Sequence, residues 1–232
     1  MIKMRAINLY KQLEKDFIFP HLYDEFAQYM PAIHPFMTSN FKERSMGLVC
    51  DFADEIHQVY TAVFPSDNVV SRLLADKPNG AMLFLHHPST WSFCNGKLGW
   101  SQIDTKWIEL FRKHKVSIYA LHVPLDNYGV YATSKTLADA MGLEIIEPFS
   151  KYRGSLCGII GKTRCRTVGE LNEIFSSAVG HQTKLYPYRN KEIQDGFVAV
   201  VAGGGNLDTS VAQNVLKKSV NTYVTGITVL SE

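Results

Sequence analysis

Hydrophobic residues recur along this chain at two spacings. Residues 81–85, Ala81 to Leu85, are continuously apolar and follow the turn signal Pro78-Asn79-Gly80. So short a run, bounded by turn residues, reads as a strand covered on both faces. Residues 47–52, 58–64 (weakly alternating), 116–123, 143–149, 155–162, 197–202 and 222–230 also read as strands, and 183–189 could be another. Between them lie stretches of helical period. These are 3–15 and 21–30, with Leu9, Leu13, Leu22 and Phe26 inward, then 66–77 with Ser66 as N-cap and 103–115 capped near Asp104. Further on come 132–143, stopped at Gly142, 167–180 with Thr167 and Glu170 as a capping box, and 207–220. Residues 31–45 and 92–100 read as loops.

Strand and helix alternate through the first 150 residues, so the chain reads as α/β, a mainly parallel sheet flanked by helices. Residues 151–196 change character and form a smaller α+β lobe. Residues 1–150 and 197–232 together are expected to form the larger α/β lobe. No repeat of fixed period and no low-complexity segment is present.

Composition changes this picture little. The chain has 232 residues, 46% hydrophobic and 20% charged, ordinary for a globular protein with ample core. Net charge is +2, so no global field attracts nucleic acid, and pairs such as Lys217-Lys218 read as solvated helix faces. The cysteines Cys50, Cys94, Cys157 and Cys165 form no CxxC pair. The N-terminus has no signal-like apolar core, and no apolar run approaches the roughly 18 residues of a membrane span. A reducing, cytoplasmic setting with unpaired thiols is expected.

The candidate chemistry lies where strands end. His86 and His87 stand side by side after the run 81–85, and Pro88 cannot continue a ladder. In open α/β sheets ligands gather at the carboxyl ends of strands. Two imidazoles there could serve two metal ions, or one ion and a substrate; equally, one could be a core histidine and the other a loop histidine. The run 116–123 behaves alike: it is apolar, then gives His122 and, four residues on, Asp126. With a single helix between them, the two strands are expected to be neighbours. Imidazole suits zinc, iron, cobalt or nickel, and a carboxylate adds charge and can bridge two ions.

The motifs "HHP" at 86–88, "HVPLD" at 122–126 and "GGGN…YVTG" across 203–226 resemble the dinuclear-metal-centre family of GTP cyclohydrolase type 2 homologues, the Ngg-one-interacting-factor-three-like proteins. "SMGLVCDF" at 45–52 resembles that family's early Asn-Val-Gly-Leu stretch, and Val123 replaces the Thr of its second motif. The resemblance runs from about residue 40 onward. It implies two divalent metal ions (zinc, iron, manganese or nickel) held by His86, His87 and Asp126, with His122 beside them as a supporting or substrate-contact residue. It further implies a metal-dependent hydrolase whose activated water attacks a nucleotide-like substrate, and a homo-oligomer, possibly hexameric. The alternative is a non-catalytic metal-binding scaffold or regulatory interaction protein. The family completes its site with a C-terminal His-x-x-x-Glu, whereas Tyr223-Val224-Thr225-Gly226 is followed here by "ITVLSE". The last two ligands are therefore expected to be missing, through truncation or as a remnant site, with metal binding and activity weakened. Neither a membrane nor nucleic acid is an expected partner.

Other motifs read two ways. Gly204, Gly205 and Asn206, opening the helix at 207–220, could contact phosphate through their amides or could simply pack strand against helix. Trp91, Phe93 and Trp100 could stack a purine or pack the loop. Asp51, Asp54, Glu55 and His57 match no ligand spacing and read as a solvated turn.

Overall fold

The computed structural model describes residues 4–94, 97–188, 190–205 and 209–226. The chain is mixed α/β and divides into two compact units, the first running to Leu125 and the second starting at Asp126.

The first unit holds strands β1 (Met4–Arg5), β2 (Gly47–Cys50), β3 (Glu55–Ile56), β4 (Gln58–Ala62), β5 (Ala81–Leu85), β6 (Thr90–Cys94), β7 (Lys97–Ser101) and β8 (Val116–Ala120). Its helices are α1 (Ala6–Phe17), α2 (Ser39–Arg44), α3 (Asp67–Ala75) and α4 (Thr105–Lys113), and the short α5 (Val123–Asp126) follows β8. The principal sheet runs β2-β8-β5-β4. β4, β5 and β8 are parallel and joined through α3 and α4, while β2 is an antiparallel edge. β5 is apolar throughout, and β8 is apolar but for Ser117, because both faces are covered. Leu83, Leu85 and Ile118 pack with Ile33, Phe41, Ile108 and Phe111 on one face, and Met82, Tyr119 and Leu121 with Ala6 and Tyr10 of α1 on the other. Ser66 caps α3 and Asp104 caps α4, each side chain accepting a backbone N–H of the first turn.

Three stretches differ from the sequence reading. Residues 21–30 form no α-helix: Leu22 and Phe26 are buried, but the backbone makes 3-10 turns at Phe26–Tyr29 and Pro31–Phe36. Pro31 breaks the stretch at its end, since it disfavours helical backbone at the residue before it, and Met30 sits at φ −127°, ψ 44°. Within 31–45, α2 forms under a Thr38 cap. Residues 90–101, read largely as loop, pair as the hairpin β6–β7. The Asn95-Gly96 pair between those strands is a strong hairpin signal, although both residues lie outside those described.

The second unit contains β9 (Glu144–Tyr152), β10 (Ser155–Lys162), β11 (Phe197–Val201) and β12 (Tyr223–Thr225), with α6 (Thr133–Ala140), α7 (Val168–Val179) and α8 (Thr209–Lys217). The sheet order is β12-β11-β10-β9, antiparallel except for the β11–β12 pair that α8 connects. The boundary therefore falls elsewhere than expected: 143–149 and 197–202 do not extend the first sheet. Arg153 and Gly154, at φ 47° and 85°, fold β9 directly back on β10 as a two-residue hairpin, and β11 takes β10's other edge. Thr167 and Glu170 close the capping box that opens α7. Residues 183–188 join no ladder; Pro187 has no N–H to give, and Tyr188 is 89% exposed. Of the run 222–230, 223–225 is a strand, and residues 227–232 lie outside those described.

Cys50, Cys157 and Cys165 form no disulfide, and burial pushes the Cys50 thiol up to about 12. Among the described residues no helix is long and apolar enough to cross a membrane.

Candidate metal centre

The centre forms because three parallel strands stop together. Leu85 pairs in register with Ala62 on one side and Ala120 on the other. Beyond that line the backbone stays ordered: His86 N–H donates to Ala62 O at 3.2 Å, His87 N–H to Val63 O at 2.9 Å, and Leu121 N–H to Leu85 O at 3.0 Å. The chain after β8 then turns into α5, with Leu125 N–H donating to His122 O at 3.1 Å. These bonds place His86 and His87 on one strand end and His122 on its neighbour's.

The three imidazoles converge. Ring centroids are 4.5 Å apart for His86 and His87, 4.5 Å for His87 and His122, and 5.1 Å for His86 and His122. One ligand nitrogen from each lies within 4.8 Å of the other two. Their hydrogen bonds set the tautomers. His86 Nδ1 is 3.2 Å from Leu121 O, and His122 Nδ1 is 2.8 Å from Asp24 Oδ2. A carbonyl or carboxylate oxygen only accepts, so each Nδ1 carries a proton, and in the neutral ring Nε2 keeps the lone pair. Nδ1 of His87 is buried with no hydrogen-bond partner. Leaving such a nitrogen unsatisfied costs on the order of 1–3 kcal/mol, so a buried imidazole with only a packing role is a poor account of it.

Aromatic rings wall the cluster. Phe64 stacks on His87 at 4.7 Å, and Phe26 meets His87 and His122 edge-on at 5.7 and 5.0 Å. Trp100 lies 6.4 Å from His87, centroid to centroid. Burial, reinforced by His122 and His86 alongside, drives the His87 pKa down to about 2, so this imidazole is a neutral donor at any ordinary pH.

The remaining candidates make other contacts. Asp126 ends α5, begins the second unit, and accepts a hydrogen bond from Thr133 Oγ1 at 2.8 Å within that unit. The converging group is made of His86, His87 and His122, so His122 stands level with the other two histidines. In the glycine run, a Cβ on Gly205 would lie 2.4 Å from the Tyr223 hydroxyl and 2.7 Å from Val201, so close packing requires glycine there. Gly204 lies in the bend, half-buried, and Asn206 is outside the described residues. Glu55 pairs with His57 at 3.7 Å and Asp54 with Lys115 at 4.0 Å, both at the surface. The sequence reading missed Asp24, which stands in no ligand spacing and lies 98 residues from His122.

Comparison with known proteins places this geometry. The model of one protein family matches residues 22–228. The chain belongs to the Duf34/NIF3 (NGG1p interacting factor 3) family. This Duf34/NIF3 chain is 28% identical over 182 residues to a GTP cyclohydrolase 1 type 2 homolog of Archaeoglobus fulgidus, covering 78% of the chain and 68% of the relative. It is 27% identical over 161 residues to the protein of the same name from Pyrococcus horikoshii, covering 68% and 62%. The chain thus spans about two thirds of the length of the curated relatives it matches. Among solved structures, the fold is shared with the ybgI protein of unknown function (TM-score 0.68, 16% identity, 97% of this chain and 79% of that one). A Bacillus cereus protein related to NIF3 also shares it (TM-score 0.67, 14% identity, 99% and 84%).

The donor set fits a borderline divalent ion. Neutral imidazoles suit zinc, iron or nickel, and the buried Nδ1 of His87 has no hydrogen bond to satisfy it.

Proposed function

We propose that this Duf34/NIF3 protein is a divalent-metal-dependent hydrolase acting on a nucleotide-like substrate. The observation that carries the reading is the convergence of His86, His87 and His122, two of them already committed by hydrogen bonds to offering Nε2. His86, His87 and His122 would hold the metal. A bound divalent ion brings a water acidified toward neutrality and a Lewis acid for a carbonyl or phosphoryl oxygen.

The chain's own residues prepare for this. Leu121 O and Asp24 hold the neutral rings in the tautomer whose Nε2 offers a lone pair, and the low basicity of His87 keeps its ring neutral. Phe26 and Phe64 cover the rings and keep water from competing for the donors. The names of the relatives support a purine nucleotide as the substrate class. The second reading is a metal-binding partner protein without turnover, for which the family's description as an interacting factor speaks.

Metal content by plasma mass spectrometry, beside a His86→Ala/His87→Ala variant, tests the reading. Stoichiometric metal in the parent and none in the variant, with metal-dependent hydrolysis of a nucleotide panel, is the expected result. Bound metal without turnover favours the partner protein. A metal-free parent that takes up no added zinc or iron overturns both.

A further inference from the structure

We propose that Asp24 is the positioning residue of the metal centre: its carboxylate holds His122 in the Nδ1–H tautomer and so turns Nε2 toward the shared donor space. The inference rests on the metal reading above. Asp24 comes from the irregular segment before the first 3-10 turn, far from the strand ends in sequence, yet its side chain is only 1% exposed against 11% for His122. Oδ2 accepts from His122 Nδ1 at 2.8 Å and Oδ1 from the Glu25 N–H at 2.8 Å, so neither oxygen can swing away without losing a bond. Two residues on, Phe26 packs edge-on against His122 at 5.0 Å and 88°, fixing the plane of the ring whose tautomer Asp24 sets.

Burying an ionised carboxylate costs several kcal/mol, and for shape alone an asparagine would serve at less expense. What the carboxylate adds is specific to a ligand. It excludes the Nε2–H tautomer, raises the basicity of Nε2, and balances the charge of a cation held on the far side of the ring. His86 Nδ1 meets a backbone carbonyl where His122 Nδ1 meets a carboxylate, so the two histidines are not equivalent donors.

The full chain, labelled with ¹⁵N-histidine and stripped of metal, is compared with Asp24→Asn and Asp24→Ala. Long-range ¹H–¹⁵N spectra report the His122 tautomer, cobalt(II) titration followed by visible absorption reports affinity, and metal-free melting confirms folding. Asp24→Asn keeps the side-chain shape, so it stands in where the alanine variant fails to fold. The expected result is Nδ1–H in the wild type, a shift toward Nε2–H in Asp24→Ala, and cobalt affinity reduced about 10–100-fold in both variants. Wild-type uptake of cobalt with unchanged affinity in folded variants, or an unchanged tautomer in Asp24→Ala, overturns the inference and leaves the metal reading standing. No uptake by the wild type removes the metal reading, and the inference with it.

Discussion

Leu85 and Ala120 are a register pair at the ends of two parallel strands, and the Leu121 N–H donates back to Leu85 O at 3.0 Å. The residues that follow, His86 and His122, therefore emerge side by side, 5.1 Å between ring centroids. Register rather than loop chemistry makes this cluster.

His122 is accordingly expected to matter as much as its partners. His122→Ala should lower affinity for zinc or cobalt by at least the 10–100-fold typical of a lost supporting residue, and by as much as His86→Ala does. Competition titration against a chelator measures both. A His122→Ala protein that binds as the wild type does would show that this ring only stands beside the ion.

Acid stability should carry the signature of His87. Its folded pKa, about 2, lies below the unfolded value of about 6.5, chiefly because the ring is buried and then because His122 and His86 stand beside it. Between those values the unfolded chain binds a proton that the folded one refuses. The stability due to the neutral ring is thus fully present above about pH 6.5 and is lost as the pH falls from there toward 2. The loss is at most about 1.4 kcal/mol per pH unit. Urea midpoints of metal-free protein at pH 7, 6 and 5 should fall more steeply for the wild type than for His87→Phe, whose ring cannot titrate. Parallel curves would mean that His87 protonates in place.

Much of this was legible in the sequence. The run from Ala81 to Leu85 declared a doubly covered strand, and its abrupt end in two histidines marked the place to look. Ser66, Asp104 and Thr167 mark helix starts because a capping side chain acts on backbone only two or three residues away. Asp24 was not legible, because its contact with His122 depends on tertiary structure alone. The division of the chain was misread for a related reason. Residues 143–149 look the same in a parallel or an antiparallel sheet, and the Arg153-Gly154 turn that decides between them is two residues long. Residues 21–30 have helical spacing, yet the proline at their end redirects the backbone.

The glycines near the last strand separate packing from ligand contact. A Cβ on Gly226 would lie 1.9 Å from the Ala202 carbonyl oxygen, a backbone atom that cannot step aside cheaply. The Gly226 N–H also donates toward Val201 O and Gly203 O, at 3.3 and 3.2 Å, and Thr225 Oγ1 donates to Gly203 O at 3.0 Å. The end of β12 is therefore pinned to the glycine turn after β11. Gly226→Ala should cost at least the 1–3 kcal/mol, roughly, of an overpacked core, and Gly205→Ala, against Tyr223 and Val201, a similar amount. Gly203 faces open space, with nothing within 4 Å of an added Cβ, so Gly203→Ala should leave the urea midpoint nearly unchanged. The three midpoints, read beside binding of inorganic phosphate, distinguish the roles. Destabilisation at 205 and 226 with no phosphate bound by the parent makes the run a packing device. Phosphate binding that Gly203→Ala abolishes without loss of stability would make it a cradle instead.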